Sequence, residues 1–295
     1  MDMVIVQLTG GLGNQLFQYA AGRSLSIYHN VPLLLDSSSF YRKTISELEI
    51  PRDFELYQFE GVKEKIISPA ELAATIDLKN EKSFFTRIRP KYKRQIYTCP
   101  FFHYDSNFFK SRKTVYLKGG WQSEKYFSPY KDIIFQSMQL KPDVIRPVAE
   151  KARLIKEKPS VGVHIRRGDY LRMKVILEWH GVMSKEYYAR GFETIHKEKG
   201  DFSVLYFTDD PEWVQKELMP VMNGEIVSSS ISQNHFQDFH LLSICHHNII
   251  ANSSFSWWAA WLNANPDKRV IAPQKWFNQA KLDTRDLIPE TWARL

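Results

Sequence analysis

Residues 161–170 read Val-Gly-Val-His-Ile-Arg-Arg-Gly-Asp-Tyr, an apolar, strand-like run that ends in His164, Arg166, Arg167 and Asp169. The open ends of strands are where α/β proteins hold their ligands. Two neighbouring guanidiniums match the oxygens of a diphosphate in charge and geometry, so this strand end is a candidate nucleotide-diphosphate site. The same residue types also suit a structural Arg–Asp pair closing a strand, and the segment alone does not separate the two readings.

Three other segments carry chemistry of a related kind. Residues 9–14, Thr-Gly-Gly-Leu-Gly-Asn, form a glycine turn after an apolar run. After Gly11 and Gly13 the third glycine position of a dinucleotide fingerprint is Leu16, and no Gly-Lys-Ser/Thr follows, so neither that site nor a kinase-type phosphate loop is encoded. What remains is a tight turn whose amides, with the side chains of Asn14 and Gln15, face a ligand edge, or a turn present for geometry alone. In Phe-Thr-Asp-Asp-Pro, residues 207–211, Asp210 suits a helix cap ahead of Pro211, while Asp209 is placed to accept hydrogen bonds from a guanine. In Asn-Ser-Ser-Phe-Ser-Trp-Trp, residues 252–258, Ser253, Ser254, Phe255 and Ser256 open a helix whose positive end makes a phosphate cradle, although capping explains one serine. Trp257, Trp258 and Trp261 have the spacing of a core face. No metal is expected: the sequence has no Asp-x-Asp, His246 and His247 are adjacent, and His235 and His240 are five apart. The basic run at residues 87–94 reads as a solvated face, an exposed edge strand, or a contact with a membrane surface or acidic acceptor.

Each strand end needs a strand before it and a helix behind it. Apolar runs predict strands at residues 4–8, 31–35, 115–118, 161–165, 203–207, 225–227, 248–251 and 270–272. Helical spacing predicts helices at 15–28, 123–136, 143–156, 185–199, 235–245 and 256–263, and one opened by Asp210-Pro211. Residues 36–112 show little periodicity. A boundary near 156–159 gives two domains, 1–157 and 158–295. Repeated β-α units imply parallel sheets with helices on both faces.

The chain has 295 residues, 43% of them hydrophobic, with 40 Lys+Arg against 33 Asp+Glu for a net charge of +7. That is enough for two domains of about 150 residues each. The positive field favours anionic partners. Nucleic acid is not expected, because the basic residues are scattered and no recognised module accompanies them. Cys99 and Cys245 alone encode neither a disulfide framework nor a thiolate zinc site, which suits a reducing cytoplasm. With no basic leader and no apolar run near the roughly 20 residues of a membrane span, the expectation is cytoplasmic, with peripheral contact at the inner face of the plasma membrane.

Taken in order, Gly-Gly-Leu-Gly-Asn-Gln-Leu-Phe-Gln-Tyr-Ala at residues 10–20, His-Ile-Arg-Arg-Gly-Asp-Tyr at 164–170, Phe-Thr-Asp-Asp at 207–210 and Asn-Ser-Ser-Phe-Ser-Trp-Trp at 252–258 resemble the bacterial α-1,2-fucosyltransferases of glycosyltransferase family 11. The resemblance implies an α/β GT-B fold of two facing Rossmann-like domains, the N-terminal one on the acceptor side and the C-terminal one binding GDP-fucose. It implies His164 and Asp209, with Asp210, at or near guanine, Arg166 or Arg167 at the β-phosphate, and residues 253–256 cradling the diphosphate. Gly11, Gly13, Asn14 and Gln15 would add donor contacts from the N-terminal side. The implied activity is inverting, metal-independent transfer of L-fucose from GDP-β-L-fucose to the 2-hydroxyl of a terminal galactose, in surface polysaccharide or O-antigen synthesis, with no cofactor beyond the donor. Such a transfer needs a base. Asp169 is the first candidate, with Glu178 and His180, in the loop before residue 185, as rivals; Asp169 fits equally as the orienter of Arg166. Transfer from another GDP-sugar, and a non-catalytic nucleotide-sugar or glycan binder, are the alternatives.

Overall fold

The structure is a computed structural model that describes residues 1–41, 51–77, 83–100, 102–279 and 282–295, and gives the backbone alone of Phe85 and Asp169. The chain divides into two compact units, Met1–Gln139 with Asp283–Pro289, and Leu140–Leu282 with Glu290–Leu295.

In the first unit the described elements are β1 (Val4–Gln7), α1 (Leu12–His29), β2 (Leu33–Asp36), β3 (Lys65–Ile66), α2 (Pro69–Thr75), α3 (Phe84–Ile88), β4 (Ile96–Thr98), β5 (Val115–Lys118) and α4 (Lys131–Ser137). The strands form a parallel sheet in the order β3-β2-β1-β5-β4, with Val4 of β1 opposite both Leu33 and Val115. Val4, Ile5 and Val6 are all buried, as a central parallel strand covered on both faces requires. The segment Asp283–Pro289 is tied to this unit through Asp286, which accepts from the Tyr104 amide at 3.0 Å and pairs with Lys125 at 2.6 Å.

The second unit runs α5 (Pro142–Ile145), α6 (Ala149–Glu157), β6 (Ser160–Ile165), α7 (Gly168–Arg172), α8 (Lys174–His180), α9 (Lys185–Lys199) and β7 (Ser203–Thr208). It continues through α10 (Pro211–Trp213), which passes into a π-helical stretch, Val214–Leu218, then β8 (Glu225–Ile226), α11 (His235–Ser243), β9 (His247–Ile249), α12 (Ser254–Trp261), β10 (Val270–Ala272) and β11 (Ala293–Arg294). Its sheet is parallel, in the order β11-β10-β9-β6-β7-β8. Counted within the unit this is the 3-2-1-4-5-6 order of a Rossmann sheet. β6 therefore marks the switch point, where the chain leaves towards β7 and returns on the other side as β9. Val161, Val163 and Ile165 of β6 pack with Tyr187, Tyr188, Phe192 and Ile195 of α9 in one core. On the strand's other face α11 comes so near that a Cβ on Gly162 would lie 2.7 Å from Leu242 Cδ1 and 2.9 Å from Cys245 Sγ.

The α/β class with parallel sheets is the one expected. Several local expectations are corrected. Residues 140–157 group with the second unit, so the chain divides at Gln139/Leu140 and not at 157. The basic run at 87–94 is no edge strand: it spans the end of α3 and a 3₁₀ turn at Lys91–Lys93, and the edge strand β4 starts only at Ile96. The helix expected at 123–136 is broken into 3₁₀ turns at Glu124–Tyr126 and Ser128–Tyr130 before α4. Glu178 and His180 stand on α8 and not in a loop. Among the described residues no helix is long and apolar enough to cross a membrane.

Candidate active site

The register of β6 and β7 builds the centre of the site. His164 lies opposite Phe207 and Ile165 opposite Thr208, so one step further Arg166 and Arg167 meet Asp209 and Asp210. Arg166 Nη1 lies 3.3 Å from Asp209 Oδ2, and Arg167 Nε donates to Asp210 Oδ2 at 3.0 Å. The other carboxylate oxygens bind backbone: Asp209 Oδ1 accepts from the Arg167 amide at 2.8 Å, and Asp210 Oδ1 accepts from the Trp213 amide at 3.2 Å, which caps α10. Asp209, read from sequence as a base-recognising carboxylate, is thus engaged in holding the end of β6, and Asp210 is the cap its neighbour Pro211 implied. Gly168 lets the chain pass close by, since a Cβ there would sit 3.2 Å from Asp209 Cγ and Oδ2.

The two guanidiniums differ in exposure. Arg167 is packed over the Trp213 ring at 4.2 Å with its side chain 16% exposed, whereas Arg166, 27% exposed, has the Tyr170 ring at 5.8 Å. Behind them His164 is buried. Desolvation first, then the charge of Arg166, hold its pKa down at about 3, so the imidazole is neutral at physiological pH, and its Nδ1 has no hydrogen-bond partner among the described residues. An unsatisfied, buried, neutral imidazole nitrogen at the C-terminal end of a central strand is a site for one hydrogen bond from or to a ligand. Phe255 lies 5.4 Å from the His164 ring and from Phe239, giving this end an aromatic floor.

Across the switch point, β9 leads into residues 252–256. Ser253 is the N-cap of α12 but its side chain makes no capping bond, so the helix opens with its positive end uncapped by a hydroxyl. Ser254 and Phe255 are half-buried. Ser256 is turned inward, donating to Ala251 O at 3.4 Å and Ser253 O at 3.2 Å, which corrects its expected place in a phosphate cradle. Trp257 and Trp258 are buried core residues, as their spacing indicated.

The base candidates separate. The Asp169 backbone stands in the first turn of α7, directly after the arginines; its side chain lies outside the described residues. Glu178 is exposed and 3.8 Å from Lys174, one turn earlier on α8. The His180 ring is stacked on Tyr170 at 4.9 Å and touches Phe277 at 5.3 Å. In the first unit, Gly10 takes a φ of +74°, and Gly11 caps α1, on which Gly13 and Asn14 form the first turn. Asn14 Oδ1 accepts from Gln122 Nε2 at 2.8 Å. Gln15, expected at a ligand edge, is instead buried and bound internally: it donates to Gly10 O and Asp53 O at 2.9 and 2.8 Å and accepts from the Glu55 amide at 2.9 Å.

Sequence reasoning missed three supports. Tyr188 Oη donates to His164 O at 3.2 Å, Trp213 underlies Arg167, and buried Asn252 donates to His180 O at 2.7 Å and Trp276 O at 3.2 Å. Trp213, one turn after the Asp-Asp pair, and Asn252, which opens the 252–258 motif, left a signal in the sequence; Tyr188 left none. Among the described residues no group of three or more His, Cys, Asp and Glu is placed to hold a metal ion.

The sequence profile of Glycosyl transferase family 11 matches residues 53–294. The chain is 31% identical to an alpha-1,2-colitosyltransferase of Escherichia coli over 100% of its own length and 99% of that protein's. It is also 31% identical to the O-antigen biosynthesis glycosyltransferase WbnK of Escherichia coli, over 93% of this chain and 96% of that one. The solved structure of POFUT1 in complex with GDP-fucose superposes with a TM-score of 0.50 at 12% identity, covering 92% of this chain and 97% of the other. At that identity the likeness speaks for the fold alone, which is the GT-B class expected from the motifs.

Proposed function

Because the chain belongs to glycosyltransferase family 11, and is therefore a glycosyltransferase, we propose that it transfers L-fucose from GDP-β-L-fucose to the 2-hydroxyl of a terminal galactose, with inversion and without a metal. The observation that carries this reading is the double clamp Arg166–Asp209 and Arg167–Asp210 beside neutral His164, at the switch point of a Rossmann sheet and across from the start of α12.

In the proposed roles, Arg167 is the fixed strut and Arg166, the more exposed cation, meets the diphosphate. As the fucosyl bond breaks, negative charge gathers on the leaving GDP, and a guanidinium already held in place stabilises it without reorganisation. The start of α12, at Ser253 and Ser254, adds amide donors to the same anion. His164 offers its unpaired Nδ1 to the nucleotide, and the ring of Phe255 lies beside it. Asp169 is the proposed base. Its place directly after the arginines supports it over Glu178, which is exposed and drawn to Lys174, and over His180, whose ring is held between Tyr170 and Phe277. The Gly11–Asn14 turn of the first unit is proposed to add donor contacts, and the first unit to carry the galactoside acceptor. Action in O-antigen synthesis and a cytoplasmic setting belong to the same proposal.

A second reading has a specific motive: the full-length similarity to a colitosyltransferase. Colitose is fucose without its 3-hydroxyl, so the two donors differ by one polar group. GDP release measured in EDTA, with and without lactose, with GDP-fucose and GDP-colitose in competition, decides between them. Lactose-dependent release from GDP-fucose that survives the chelator supports the first reading. Turnover of GDP-colitose alone supports the second, and binding of either donor without turnover on any galactoside contradicts the proposed acceptor.

A further inference from the structure

Between residues 83 and 104 the chain carries Arg87, Arg89, Lys91, Lys93 and Arg94 and no Asp or Glu. None of these residues belongs to the site described above. Arg94 is used internally: its Nε and Nη2 donate to the carbonyls of Arg89 and Arg87 at 2.9 and 2.7 Å, folding the turn Lys91–Lys93 back on the end of α3. The other four are exposed, and none has an ion-pair partner among the described residues. The turn Lys91–Lys93 packs against the turn Phe108–Lys110, which brings exposed Lys110 close to them.

Two large apolar side chains accompany these cations. Phe84 is 72% exposed and Ile88 64%, and their i,i+4 spacing on α3 puts them on one face. A merely solvated basic surface has no use for them, since water gains nothing from a phenyl ring. An acidic polysaccharide would satisfy the cations but leave Phe84 and Ile88 wet. A bilayer satisfies both, because apolar side chains enter the boundary below the head groups while Lys and Arg meet the phosphates above.

We propose that this face of the first unit, formed by α3 and the turn Lys91–Lys93, docks on an anionic phospholipid surface. The proposal does not depend on which sugar is transferred. Each cation near an anionic leaflet strengthens binding roughly fivefold, so replacing four weakens it by about two to three orders of magnitude.

The test is flotation of the whole protein with vesicles of phosphatidylcholine alone and vesicles with about one third phosphatidylglycerol. Binding is expected only to the anionic vesicles. It is lost when Arg87→Gln, Arg89→Gln, Lys91→Gln and Lys93→Gln are combined, while the circular dichroism and the turnover on a soluble acceptor stay unchanged. The pair Phe84→Ser and Ile88→Ser keeps binding at low salt and loses the part of wild-type binding that resists high salt. Equal binding to both vesicles, no binding to the anionic ones, or full binding by the four-fold glutamine variant overturns the proposal. So does retention on an immobilised acidic polysaccharide without vesicle binding.

Discussion

Replacing the two arginines one at a time should separate chemistry from stability. Arg167 packs on Trp213 at 4.2 Å and donates to Asp210 at 3.0 Å with its side chain 16% exposed. The ring contact contributes about 1 kcal/mol and the partly screened, charge-assisted bond about another 1 kcal/mol. Arg167→Ala should therefore cost about 2 kcal/mol, a fall in Tm of about 4–8 °C for a unit of this size. Arg166 has a looser partner, with Asp209 at 3.3 Å and both side chains more than a quarter exposed, and its removal should cost no more than about 1 kcal/mol. Its loss from a developing diphosphate charge should instead cut turnover about 10²–10³-fold. The assays are thermal unfolding by circular dichroism and GDP release at saturating donor and acceptor. If Arg166→Ala unfolds the protein while Arg167→Ala leaves Tm unchanged and abolishes turnover, the assignment of strut and catalytic cation is refuted.

Asn252→Ala leaves the carbonyls of His180 and Trp276 without their donor in a buried place, and should cost about 2–4 kcal/mol in urea unfolding, with faster proteolysis around α8. Gly162→Ala drives a methyl into Leu242 and Cys245 and should cost about 1–3 kcal/mol, partly recovered by Leu242→Ala; unchanged stability would show that α11 does not bear on β6 as described. His164 stays neutral down to about pH 3 in the folded protein, against 6.5 for the free side chain. From pH 6.5 downwards the unfolded chain therefore binds a proton that the native one does not, and stability falls by about 1.4 kcal/mol per pH unit from this residue. Chemical unfolding between pH 4 and 6 should show this limb flattened by about one proton in His164→Asn, with the similar contribution of His240, held down at about 4, remaining.

Much of the second unit was legible in the sequence. β6 is buried along its whole length, with apolar residues either side of His164, β10 matched its predicted bounds, and α9 is framed by Ser184, whose hydroxyl accepts from the Tyr187 amide, and by Gly200 with φ +79°. Helix packing by Trp257 and Trp258 followed from spacing alone. What the sequence hid has physical reasons. β3, β4 and β11 are two or three residues long and lie at or next to sheet edges, too short to show a period. α7 and α8 leave Leu171, Val175 and Trp179 exposed, so no inward stripe marks them as helices. Pro142 and Pro147 punctuate the segment ahead of α6, and its grouping with the second unit depends on tertiary contacts. The motifs located the arginines and aspartates, but their pairing follows from the β6–β7 register, which local sequence does not specify. Gln15 and Ser256 turn inward for one reason: a polar residue in a ligand-like motif is as able to satisfy nearby backbone groups as a ligand.

The most direct measurement is the structure of the product. Incubated with GDP-fucose and lactose in EDTA, the protein should yield a trisaccharide whose NMR spectrum shows fucose α-linked to the 2-hydroxyl of galactose, and the Arg166→Ala variant should yield almost none. A β-linkage, attachment at another hydroxyl, or undiminished product from Arg166→Ala would contradict the account.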